Sequence, residues 1–161
     1  MPERDIDMLW RHITRSQEHL ISCLEGLSEE DINWRPLENA NSLYVLATHM
    51  MSNMNETILA TLCNQPMSKR KREEDFKAVG TSVESVRKRW NELRSKIESS
   101  LALLPPDALD KEYLHPRRGR IAGREILIVV AKHAAEHFGQ AELTVDLLHK
   151  ARGRPLRVHE F

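Results

Sequence analysis

Residues 124–151 read REILIVVAKHAAEHFGQAELTVDLLHKA, and no proline interrupts them. At about 100° per residue, Ile126, Val129, Val130, Ala134, Ala141, Leu147 and Leu148 fall on one arc of a helix, while Arg124, Glu142 and Asp146 fall on the opposite side. That separation predicts one long amphipathic helix, from about Arg124 to Ala151, with its apolar arc turned into a core. His133 and His137 lie inside the arc. Their imidazoles sit about 40° apart around the axis and Gln140 shares the face, so both rings can reach one ion in the interior. Without an ion they would be two buried polar rings in need of partners.

Three further helices are expected to cover that face. Ile6, Leu9, Trp10, Ile13, Leu20 and Leu24 recur at helical spacing and Gly26 supplies a stop, which defines helix one. Ser28 to Asp31 has the form of a short capped turn, and Pro36 prevents the residues before it from continuing as helix. Helix two runs from about Asn41, through Leu43, Leu46, Met50, Met54, Thr57 and Thr61, to the residues before Pro66. Residues 67–80 contain SKRKREED, with no apolar stripe before Phe76, and read as a solvated connection rather than a nucleic-acid patch. Thr81 and Glu84 form a capping box for helix three, which carries Val83, Val86, Trp90, Leu93, Ile97, Leu101 and Leu104 and stops at Pro105-Pro106. Residues 107–123 lack periodicity and are expected to form a long ordered loop over one end of the domain. No segment alternates as a half-buried strand does, so the fold class is all-α, a four-helix bundle.

A length of 161 residues suits a single domain spanning 1–161 with one core. Lysines and arginines number 24, as do aspartates and glutamates, so no long-range field recruits nucleic acid or an anionic membrane. Cys23 and Cys63 form no C-x-x-C pair and no disulfide framework, as a reducing compartment allows. The amino terminus lacks a basic-then-apolar export pattern, and no apolar run approaches the roughly 20 residues of a membrane span. Cytoplasmic residence is the expectation.

His49 stands on the edge of the apolar stripe of helix two, with Asn53 and Glu56 on nearly the same line. Taken alone it is an ordinary core histidine, hydrogen-bonded across helices. Beside His133 and His137 it would complete a three-histidine set from facing helices, with open positions on the ion. Asn53, Glu56 and Gln140 could orient the ligand rings or simply be polar residues satisfied across helices. Glu136 lies about 60° from His133, at the edge of the arc, and reads as a surface carboxylate rather than a proton carrier. His12, His19, His149 and His159 sit among charged or terminal residues and read as solvated, as does His115 before Pro116. Residues 133–137 also spell H-x-x-E-H, the signature of inverted zincin peptidases, but too few residues follow His137 for the distant acidic ligand those enzymes need.

Three stretches together carry a resemblance: GLSEEDINWRP, NSLYVLATHM and HPRRGRIAGREILIVVAKHAAEHFGQ. They are similar to the acidic turn with its Trp-x-Pro segment, the first metal histidine, and the loop, last helix and H-x3-H-x-G-Q ending of the DinB/YfiT-like metalloenzymes, over nearly the whole chain. The resemblance implies a four-helix bundle, usually a homodimer, that binds nickel, zinc or iron through His49, His133 and His137. Ile58 and Leu62, outside the main stripe of helix two, would then serve the dimer contact. Ala122-Gly123 departs from the family, which often has a capping Thr there. Relatives of this kind include thiol transferases that use bacillithiol or mycothiol. The expected function is a metal-dependent small-molecule thiol S-transferase or hydrolase, in which three neutral imidazoles leave the full +2 charge to acidify a water or a thiol. The alternative is a helical bundle whose ion is structural.

Overall fold

The computed structural model describes residues 4–67 and 69–158. The elements, in order, are α1 (Asp5–Ser22), α2 (Glu29–Ile32), α3 (Leu43–Met54), a π-helical segment (Asn55–Leu62) that continues α3, α4 (Arg72–Asp75), α5 (Val83–Ala102), β1 (Glu112–His115), β2 (Gly119–Ala122) and α6 (Gly123–Ala151). The fold is mostly helical, with one small two-stranded antiparallel sheet. Both α1 and α3 pack against α5 and against α6, so the four long helices share one core. Ile13, Leu20, Met50, Ile58, Trp90 and Ile126 are among its fully buried side chains. His159 lies outside the described residues.

Local chemistry explains where the elements begin and how they meet. Ser42 caps α3 by accepting from Val45 N at 3.1 Å. Gln17 donates from the buried face of α1 to the Ala47 carbonyl at 3.1 Å, joining α1 to α3. Asp31 of α2 accepts from Arg152 at 3.1 Å and Arg154 at 2.7 Å, tying α2 to the far end of α6. Burial pushes its carboxyl up, but these hydrogen bonds outweigh burial and hold it below the ordinary range. Gly123 opens α6 with no side-chain cap before it. Its amide donates to the Lys111 carbonyl at 2.9 Å, and a Cβ there would run into the Ala108 carbonyl. Glycine at this position follows from close backbone approach.

Several expectations are corrected. The predicted second helix is α-helical only as far as Met54. Beyond it the turns widen: Cys63 N donates to Ile58 O at 2.8 Å and Thr61 Oγ1 to Glu56 O at 3.0 Å, both spanning five residues. The wider turn brings Ile58 and Leu62 into the core, so neither is a surface for a second copy. The cap of α5 is Ser82, which accepts from Ser85 N at 3.1 Å, one residue later than the Thr81 box. On α6, Leu127 is buried and Leu147 is 38% exposed, the reverse of the arc drawn from the sequence. Residues 107–123 are not all loop, since β1 and β2 pair with Tyr113 opposite Ile121 and His115 opposite Gly119. The alternation of β1 is inverted: Leu114 faces solvent while His115 is buried, so the hydropathy signal of a strand is missing. Gly119 supplies the positive φ, +73°, that ends the tight turn.

Candidate metal centre

The inner face of α3 carries His49, and successive turns of α6 carry His133 and His137. His49 and His137 are buried, and His133 is half-buried. The Nε2 atom of His133 lies 3.2 Å from Nε2 of His49 and 3.1 Å from Nε2 of His137. One ligand atom from each residue falls within 4.8 Å of the others, so the three could hold a metal ion. Nitrogens about 2.05 Å from one tetrahedral ion are separated by about 3.3 Å, and the two short separations here fit that edge. No aspartate, glutamate or cysteine joins the cluster among the described residues.

The rings are kept neutral, as ligation requires. Burial, then the positive charge that His137, Arg70, His133 and Arg72 would present, pushes His49 down to about 3. Burial and the neighbouring His137 push His133 down to about 4. Burial also lowers His137, against the opposing hydrogen bond to Gln140 and the charge of Glu136. His137 Nδ1 donates to Gln140 Oε1 at 2.8 Å, which leaves the Nε2 lone pair of His137 directed at its neighbours.

Arg70, Asp75 and Phe76 lie against His49, and here the solvated-connection reading fails. Arg70 has a side chain only 4% exposed. It donates to Glu56 at 3.0 Å, to Asp75 at 2.8 and 2.9 Å, and to His49 Nδ1 at 3.3 Å. Phe76 packs on His49 with ring centroids 4.8 Å apart, and the Arg72 guanidinium stands 6.0 Å from the Phe76 centroid. In SKRKREED, four basic and three acidic residues nearly cancel, and the pattern does not mark which cation is drawn inside. Phe76, as the one aromatic residue of the segment, was the available signal.

Of the other candidates, Gln140 touches the cluster directly. Glu56 reaches it through Arg70, and also accepts from Arg117 at 2.7 Å, linking the hairpin to the π segment. Burial pushes Glu56 up, but the bonds from Arg117 and Arg70 prevail and hold it below its ordinary range. The hydrogen bonds to the imidazoles among the described residues include none from Asn53, whose carbonyl accepts from Thr57 at 2.7 Å. Glu136 is exposed and pairs with Lys132 at 3.5 Å, as a surface carboxylate should. His115 is not solvated: it is buried in the hairpin, with Nδ1 accepting from Arg117 N at 3.1 Å. His12 and His19 are exposed, the His19 ring lying tilted against Phe138 with centroids 5.2 Å apart, and His149 donates to the Pro155 carbonyl at 2.7 Å. Burial pushes Cys63 up to about 11 and raises Cys23, so neither thiol is a ready thiolate.

This architecture is shared with two solved structures. A conserved protein from Enterococcus faecalis superposes with a TM-score of 0.77 at 15% identity, over 92% of this chain and 99% of that one. A DinB-like protein from Bacillus cereus ATCC 10987 superposes with a TM-score of 0.70 at 16% identity, over 94% of this chain and 95% of that one. The fold therefore belongs to the DinB-like class. Within that superfamily the chain belongs to the mycothiol-S-transferase family, whose sequence model matches residues 8–148. No curated protein matches it.

Proposed function

We propose that this protein is a metal-dependent S-transferase that joins a low-molecular-weight thiol to a small electrophile. The observation that carries the reading is the convergence of three Nε2 atoms, with 3.1 and 3.2 Å separations, in a member of this family. His49, His133 and His137 would hold a divalent ion, of which nickel, zinc and iron are the candidates. When bound, such an ion supplies a Lewis acid that keeps a thiol in its reactive thiolate form near neutral pH.

The chain's own residues prepare the place. Gln140 fixes the His137 ring so that its lone pair faces inward. Phe76 walls His49 from water, and Arg72 bears on both His49 and His133 electrostatically, a positive field that favours an anionic sulfur over a neutral one. Since Cys23 and Cys63 are held protonated by burial, the sulfur comes from the small thiol. Gln140 also lines a cavity of about 550 Å³ whose apolar walls include Trp34, Leu46 and Leu143, which suits an organic electrophile. In the transfer a sulfur–carbon bond forms as the electrophile's leaving-group bond breaks, and the thiol proton passes to solvent. The four shared-core helices are read as a four-helix bundle and residues 1–161 as one domain. The homodimer remains a proposal that rests on the family resemblance.

Protein loaded with zinc or nickel should form a conjugate from mycothiol and an aryl halide, detected by mass, and His133→Ala should abolish it. No conjugate with mycothiol, bacillithiol or glutathione from protein carrying one ion per chain would exclude the transferase. A hydrolase or a structural ion would then remain.

A further inference from the structure

His49 Nδ1 presents a conflict between what now faces it and what ligation demands. The nearest polar group is Arg70 Nη2 at 3.3 Å. A guanidinium carries only donors, so Nδ1 is the acceptor and the neutral ring keeps its proton on Nε2. That proton points at the cluster, 3.2 Å from His133 Nε2, and occupies the lone pair a cation would need. Ligation through Nε2 therefore requires the proton to reside on Nδ1, where Arg70 cannot receive it.

A receiver stands behind the arginine. Asp75 Oδ2 lies 3.9 Å from His49 Nδ1, just beyond hydrogen-bond range, and is held by Arg70 Nε at 2.9 Å and Nη2 at 2.8 Å. Arg70 is fixed from its other side by Glu56 at 3.0 Å, and Glu56 by Arg117 at 2.7 Å. The carboxylate is thus carried by an arginine that is itself anchored to the π segment and the hairpin. Ligating histidines commonly donate their second ring N–H to a carboxylate, which sets the tautomer and strengthens the ligand.

We propose that Asp75 is the positioning residue of the metal centre: it accepts the Nδ1–H of His49 when Nε2 ligates a divalent cation, and Arg70 gives up its contact with the ring while keeping those with Asp75 and Glu56. This rests on the three-histidine reading and adds the residue that selects the ligating tautomer. It also accounts for the burial of one arginine from an otherwise charged and exposed segment, because the guanidinium is the bracket that keeps Asp75 beside His49.

The test is zinc affinity, measured by competition with a chromophoric chelator, together with the imidazole nitrogen spectrum of the wild-type protein. Asp75→Ala should weaken zinc binding ten- to hundredfold. Asp75→Asn, which keeps an acceptor oxygen but no charge, should weaken it less. Glu112→Gln, at an exposed carboxylate at the start of β1, should leave affinity unchanged. In wild-type protein, zinc should move the His49 proton from Nε2 to Nδ1, a readout that needs no variant to fold. Asp75→Ala affinity within twofold of wild type, or a His49 Nδ1 that stays unprotonated in the zinc form, would overturn the role of Asp75 and leave the ligand set standing. Failure of wild type to bind zinc, nickel or iron would overturn both.

Discussion

Neutral imidazoles at the centre of this fold carry a cost that appears in acid. His49 and His133 titrate near 3 and 4 in the folded chain, below the ordinary value of 6.5, because burial disfavours their charged forms. The unfolded chain therefore binds more protons than the folded one between about pH 6.5 and 4, and stability falls as pH is lowered through that window. Each of the two rings contributes a slope that approaches about 1.4 kcal/mol per pH unit in the middle of that window and fades above pH 7. Urea unfolding of the metal-free protein at pH 7.5, 6 and 5 should show this loss, and His133→Ala should lessen it by removing one of the two contributions. A midpoint that does not move between pH 7.5 and 5 would contradict the assignment of buried, neutral rings. At this scale the ligand candidates were legible, because His133 and His137 four residues apart on an apolar face are hard to place elsewhere. Arg70 and Asp75 were not, because which of several alternating charges turns inward is decided by tertiary packing around Glu56 and His49.

The elements were legible where periodicity is long, as in α1, α5 and α6, and were lost where local rules bend. The wider turns after Met54 rotate Ile58 and Leu62 inward, and a strict 3.6-residue period cannot anticipate that. The hairpin escaped because its inward position is a histidine and its outward one a leucine. Its junction with α6 gives a test of the packing argument. Gly123→Ala places a methyl group against the Ala108 carbonyl, backbone that cannot swing aside, and should destabilise the fold by about 1–3 kcal/mol. Gly139→Ala, with no atom within 4 Å of the added Cβ on an exposed helical turn, should stabilise it by about 0.5–1 kcal/mol. Denaturation midpoints of the two variants would be compared with wild type, and equal shifts, or shifts of the same sign, would sink the distinction.

The formal charge is zero and no helix among the described residues is long and apolar enough to cross a membrane, and at the scale of the whole molecule the three histidines meet at one point. That point is built by two helices far apart in sequence, with Arg70, Asp75 and Phe76 beside His49 and the hairpin joined to them through Arg117 and Glu56. The helical class and the family could be read from three stretches of sequence, two of which hold the turns that carry His49, His133 and His137. The contacts beside His49 could not, since they depend on ion pairs between segments that carry no periodic signal. The central claim is that His49, His133 and His137 form one divalent-metal site, and elemental analysis of metal-reconstituted protein tests it most directly. Wild type and His12→Ala should each hold one ion per chain, while His49→Ala, His133→Ala and His137→Ala should lose most of it. One ion per chain retained in all three of those variants would contradict the account.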